Sequence, residues 1–206
     1  MKQGEDINAV FLRGEAVTDP VYSHTAGGRR FYTFPICVER LSGRTDTLNV
    51  LVAEEELEKT PFAAGDTVTV EGSMRSCNHV ENGKSRLILS ILAKSILKED
   101  GPPENRIELT GTLCKPPVYR ITPLGRELCD VMLASRRKYG RSDFLPLILW
   151  GKNAKTASEF TTGTTISCKG RVQSREYIKR TEEGDIVKTA YEVSVAEVSA
   201  IEPVTE

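Results

Sequence analysis

NRIELTGTLCKPPVYRITPLGR, residues 105–126, repeats NAVFLRGEAVTDPVYSHTAGGR, residues 8–29, at a fixed offset of 97 positions. Asn8/Asn105, Leu12/Leu109, Gly14/Gly111, Pro20/Pro117, Tyr22/Tyr119 and Gly28/Gly125 coincide. The register holds without a gap from 8–53 onto 105–150, adding Arg40/Arg137, Arg44/Arg141 and Asp46/Asp143. After a slip of one residue, Gly65/Gly163, Gly72/Gly170 and Ser76/Ser174 continue it. Chance does not keep one register over so long a stretch, so the chain is two copies of one domain of ordinary size.

Within each copy the apolar residues fall at every second position, as in Ile107, Leu109, Gly111 and Leu113, the period of a half-buried strand. Pro116 and Pro117 end that strand, and Thr122-Pro123-Leu124-Gly125 reads as a turn. Strands follow near 127–137, 143–150, 165–177 and 186–200. Ala154, Ala157 and Phe160 mark a short helix over 152–160, and Lys179–Asp185 reads as a charged hairpin tip. The first copy has strands near 8–17, 30–41, 46–53, 67–77 and 86–97, with a helix around Glu54–Phe62. Five short strands with a helix between the third and fourth describe an all-β oligonucleotide/oligosaccharide-binding (OB) barrel. The expected organisation is a first OB-fold over 1–98, a polar Pro-containing linker over 99–104, and a second OB-fold over 105–206.

The net charge of −1 points to no polyanionic partner by itself, but the halves differ. Residues 1–100 carry 12 Lys and Arg against 15 Asp and Glu, and residues 101–206 carry 16 against 14. Five cysteines show no CxxC spacing, which argues against a disulfide framework or a zinc site. No metal or other cofactor is expected. The start, MKQGEDINAV, lacks the apolar stretch of a signal peptide, and no run reaches membrane-spanning length. A cytoplasmic, reduced protein without membrane contact is the expectation. Two histidines, His24 and His79, come with no paired carboxylates, phosphate loop or nucleophile–base signature, so the chain does not read as an enzyme.

The ordered set Asn105-x3-Leu109-x-Gly111, Pro117-x2-Arg120-x-Thr122-Pro123-x-Gly125, Leu133-Ala134-x2-Arg137, Leu149-Trp150-Gly151-Lys152 and Lys169-Gly170-Arg171-x-Gln173-Ser174-Arg175-x-Tyr177 resembles the bacterial single-stranded DNA-binding protein family, in its tandem-barrel form. The first copy is similar but diverged, keeping Asn8, Leu12, Gly14, Asp19-Pro20 and Gly72. The resemblance implies sequence-independent capture of single-stranded DNA in replication, repair or recombination, in a bacterial, nucleoid-associated setting. It implies base stacking on Tyr139, Phe144, Trp150 and Tyr177, and phosphate contact from Arg120, Lys152 and Arg175. One basic position of the family is Pro146 here. Four barrels per assembly imply a homodimer. The family continues into a flexible tail with an acidic, Phe-ended tip; the sequence ends at Ile201–Glu206 without one, so recruitment of repair proteins is not expected from it.

Elementary chemistry agrees with that assignment. Every base has a π-face, so aromatic platforms bind any sequence, and phosphates call for nearby cations. Arg136, Arg137, Lys138 and Arg141 flank Tyr139, and Arg175 and Lys179 flank Tyr177, adding these to the phosphate-contact candidates. The alternative is that Phe144 and Trp150 are core aromatics and the basic residues solvated hairpin tips. The first copy carries Ser42, Thr47, Ala53 and His79 at the stacking positions, with Ser23 and Glu55 for Arg120 and Lys152. Phe31, Tyr32 and His79 are its candidate contacts, and the second barrel is expected to carry most of the affinity. A different reading, a primosome-type assembly protein that keeps the barrel and binds DNA weakly, is marked by loss of aromatics, which the first copy shows and the second does not.

Overall fold

The computed structural model describes the backbone of residues 6–81, 84–181 and 184–202, and the side chains of these except at 80, 81, 84–86, 177 and 179–181. The first copy comprises β1 (Asn8–Ala16), β2 (Val21–Ala26), β3 (Arg29–Glu39), β4 (Thr45–Ala53), α1 (Glu54–Lys59), β5 (Thr67–Glu81) and β6 (Lys84–Lys98). The second repeats it as β7 (Glu104–Leu113), β8 (Val118–Ile121), β9 (Glu127–Arg136), β10 (Ser142–Trp150), α2 (Lys152–Ser158), β11 (Thr165–Thr181) and β12 (Gly184–Ala200). Alternation drives the strands inward: along β4, Asp46, Leu48, Val50 and Val52 are buried while the residues between them face outward.

The strand order β2-β3-β4-β6-β5-β1-β7-β11-β12-β10-β9-β8 is a palindrome, the second half being the first in reverse. Each half closes on itself, through Glu15↔Cys37 and Ala16↔Ile36 in the first and Thr112↔Ala134 and Leu113↔Leu133 in the second. The fold is therefore all-β, two tandem OB barrels, each of five strands. Gly14 and Gly111 make closure possible: a Cβ on Gly14 would lie 2.2 Å from the Cys37 carbonyl oxygen, and one on Gly111 2.5 Å from that of Ala134. Asn8 and Asn105 each bond both backbone groups of a residue on the neighbouring strand, Met74 and Val172 respectively, at 2.7–2.9 Å.

Three readings of the sequence need correction. β2 and β8 are strands where loops were expected; they pair with β3 and β9 outside the closed barrels and expose every residue. The helices are shorter, α1 stopping at Lys59 because Pro61 disfavours helix in Thr60. Finally, the β11–β12 ladder runs on to Thr181↔Gly184, so most of the charged segment Lys179–Asp185 is paired strand.

The barrels join through an antiparallel β1–β7 ladder from Asn8↔Leu109 to Arg13↔Glu104. Its register is self-complementary: Asn8 faces Leu109, and their counterparts Asn105 and Leu12 face each other. The chain thus folds like an isologous dimer of its own halves. A second clip follows the same pseudo-two-fold axis. Asp46, fully buried, accepts from its own copy's Arg40 at 2.6 Å and from the Ser174 N–H of the other barrel at 2.8 Å. Asp143, equally buried, accepts from Arg137 at 2.6 Å, from the Ser76 N–H at 2.7 Å and from Arg75 at 3.0 Å. Each carboxylate therefore ties the loop of its copy, between β3 and β4 or between β9 and β10, to the opposite barrel.

Among the cysteines, burial pushes the Cys168 thiol up to about 12 and raises that of Cys129, leaving both unreactive at neutral pH. Cys77 alone is exposed.

Candidate nucleic-acid interface between the barrels

Because each loop crosses to the other barrel, the face of the second barrel is walled partly by the first copy. The result is an open groove of about 1290 Å³ lined by Arg126, Trp150, Arg171, Arg175, Glu176 and Tyr191 of the second copy and by Arg40, Arg44 and Thr47 of the first. Five guanidiniums and one carboxylate, Glu176, line it, and two further carboxylates, Asp46 and Glu192, lie against Arg40 and Arg175, so the channel remains cationic inside a chain of net charge −1. Asp46 holds Arg40 in its charged form by a hydrogen bond and so spends much of that charge.

Trp150 ends β10 in this groove with more than a third of its surface exposed, so it is not a core aromatic. Gly151 follows at φ 54°, a left-handed conformation that disfavours side chains, and turns the chain into α2. In the first copy Ala53 occupies the corresponding place with an ordinary extended backbone and is buried. Phe144 is also exposed, at 42%, and Tyr139 fully so. Tyr139 is the one non-glycine residue at positive φ (66°) among the described residues. Strain of that kind in a bulky residue collects at functional sites. The Tyr177 side chain lies outside the described residues; its backbone pairs with Lys188 in the β11–β12 hairpin.

The cations divide. Lys152 and Arg141 are exposed, and Arg175 reaches into the groove, 3.9 Å from Glu192. Lys138 is exposed beside Tyr139. Arg120 instead pairs with Asp130 at 2.8 Å, and Arg136 with Asp6 at 3.1 Å. Arg137 is committed to the Asp143 clip and donates further to the Ser76 carbonyl. These bonds of Arg137 hold the architecture of the loop. The Lys179 side chain lies outside the described residues.

The first barrel has a different surface. Arg29, the counterpart of Arg126, pairs with Glu55 at 3.1 Å, and this hydrogen bond holds the Glu55 carboxyl below its ordinary range. Arg30 pairs likewise with Glu54, which also accepts from Tyr32. Phe31 is half-buried and stacked on His24, with ring centroids 5.3 Å apart. Both candidate aromatics are thus already partnered within the protein, while His79 is exposed on β5.

Sequence reasoning missed Arg40, Arg44, Arg126, Arg171 and Tyr191. Arg171 and Arg126 stood inside motif stretches already recognised. Arg40 and Arg44 belong to the copy that lost its aromatics, and only the crossing of the loops brings them to Trp150.

Residues 104–201 match the single-strand binding protein family. A single-stranded DNA-binding protein of Clostridium tetani is 36% identical over 80 residues, which cover 35% of this chain and 55% of that protein. One from Bacillus cereus is 32% identical over 108 residues, covering 48% and 61%. The chain spans little more than half the length of these curated relatives. Among solved structures, wild-type single-stranded DNA binding protein from Thermus aquaticus superposes with a TM-score of 0.79 over 98% of this chain and 97% of that one, at 20% identity. That likeness speaks for the fold.

Proposed function

We propose that this chain, whose residues 104–201 match the single-strand binding protein family, belongs to that family and captures single-stranded DNA without regard to sequence in replication, repair or recombination. The observation that carries the reading is the exposed Trp150 inside a groove walled by five arginines. Unpaired bases offer a face to the indole while their phosphates meet the guanidiniums; duplex DNA hides its base faces and gains only the second interaction. The reading is of binding, not catalysis. No observation favours the assembly-protein alternative specifically.

Fluorescence anisotropy with labelled oligo-dT and with a duplex of equal length tests it. The single strand binds far more tightly; equal affinities would overturn the reading. If about four phosphates are neutralised, raising monovalent salt from about 50 to about 200 mM weakens single-strand binding roughly fifty-fold.

The working unit we propose is a homodimer of four barrels. Support comes from the four-barrel habit of the family that the sequence resembles. The β1–β7 edges are consumed within the chain, so the dimer contact lies elsewhere. Light scattering should return twice the 22.8 kDa chain mass, and a stable monomer at micromolar concentration would exclude the dimer.

A further inference from the structure

We propose that the stacking aromatics of the second copy serve two different faces: Trp150 works on its own barrel, while Phe144 and Tyr139 equip the first barrel, which encodes no such platform. The inference rests on the single-stranded DNA reading and deepens it.

The anchoring of the second copy's loop carries the argument. Both ends of the loop bearing Tyr139 are fixed to β5 of the first barrel. The Arg137 guanidinium donates to the Ser76 carbonyl at 3.2 Å, and the Phe144 N–H donates to the Ser76 hydroxyl at 2.7 Å. The mirror contact is the Thr47 N–H to the Ser174 hydroxyl at 3.2 Å. Thr47 and Ser174 both line the groove that holds Trp150. By the pseudo-two-fold relation, Phe144 and Ser76 take on the first barrel the places that Thr47 and Ser174 take on the second, and the strand end of that barrel carries Ala53. The two faces are therefore complementary in what they lack. On the second barrel the strand end supplies an aromatic, Trp150, and the crossing loop supplies Ser42 and Thr47. On the first barrel the strand end supplies Ala53, and the crossing loop supplies Tyr139 and Phe144, both exposed.

Charge follows the same division. Where the second barrel offers Arg126 and Arg175 to the groove, the first has Arg29 paired with Glu55, and Cys77. Arg141, exposed on the crossing loop, is the counterpart of Arg44. A strand laid across both faces would be held by phosphate contacts and one tryptophan on the second barrel. On the first it would be held mainly by stacking. Loss of aromatics from the first copy's own positions is thus not loss of the first barrel's face.

Cys77, exposed one residue from Ser76, provides the test. The full chain is irradiated with oligo-dT in which bromodeoxyuridine replaces some thymidines, and adducts are mapped by mass spectrometry. An adduct at Cys77 is expected beside adducts in the Trp150 groove. With oligo-dT saturating each variant, Phe144→Ala should lower the Cys77 yield relative to the adducts of the Trp150 groove about five-fold or more, the loss of one stacked base, while Trp150→Ala should not lower that ratio. Phe144→Leu, which keeps apolar bulk, separates lost stacking from a disturbed fold: it should lower the yield likewise, with an unchanged circular dichroism spectrum. Adducts confined to the second-barrel groove, or a Cys77 yield indifferent to Phe144, would overturn the split. Failure to form any adduct would instead remove the DNA-binding reading on which it rests.

Discussion

Trp150→Ala lowers affinity for oligo-dT by a factor of about five to more than a hundred, the value of one stacked base at ~1–3 kcal/mol. The indole is exposed at the end of β10, so its removal opens no cavity, and thermal stability should change little. Trp150→Phe keeps a smaller platform and should fall between the two. The arginines remain, so the variant's affinity should stay as steeply salt-dependent as that of the wild type. His79→Ala, at an exposed position of the first barrel, should change affinity little. Affinities measured by anisotropy at one fixed salt concentration check all three. An unchanged Trp150→Ala affinity would mean that the groove holds phosphates only.

The second large effect is on stability. Asp143→Ala removes a fully buried carboxylate that accepts from Arg137, Arg75 and the Ser76 N–H. Breaking a buried ion pair by deleting one partner costs about 3–5 kcal/mol. The guanidiniums here keep about a quarter of their surface in water, at 26% and 27%, which places the loss toward the lower end. About 3 kcal/mol corresponds to a fall in Tm of roughly 6–12 °C in a chain of this size. Asp46→Ala, with one fewer arginine on its carboxylate, should cost less. Differential scanning calorimetry of both variants is the check. A fall of less than about 2 °C for Asp143→Ala would show that the clip does not hold the barrels together.

That clip also explains what the sequence could and could not disclose. Closed strands such as β1, β4 and β7 were legible because burial on one side imposes an alternation, and the repeat confirmed each of them twice. β2 and β8 were not, since a strand exposed on both faces carries no alternation. The paired stretch beyond Tyr177 was hidden for a related reason: it extends past the barrel, and its charges look like a tip. At the proposed site, the motifs pointed to Trp150 and Arg175, and both line the groove. The architectural partner of Arg137 had a signal of its own in the sequence. Arg40-x5-Asp46 and Arg137-x5-Asp143 both persist, and the first copy keeps its pair after losing the stacking residues. A pair retained in the copy that lacks the stacking aromatics serves the architecture, as the buried Asp46 and Asp143 clips show. The contributions of Arg40 and Arg44 to the other barrel's groove could not be read, because nothing in a linear sequence says which barrel a loop will cross.

Trp150 is the only tryptophan, so the intrinsic fluorescence of the chain reports on one point of the proposed interface. Titrating the full chain with poly-dT and following that emission is the most direct measurement available. Stacking of thymine on the indole predicts strong, saturable quenching that salt reverses, with little quenching by duplex at the same nucleotide concentration. Emission that stays unchanged while poly-dT binds, or that duplex quenches equally, would contradict a groove in which Trp150 stacks on unpaired bases.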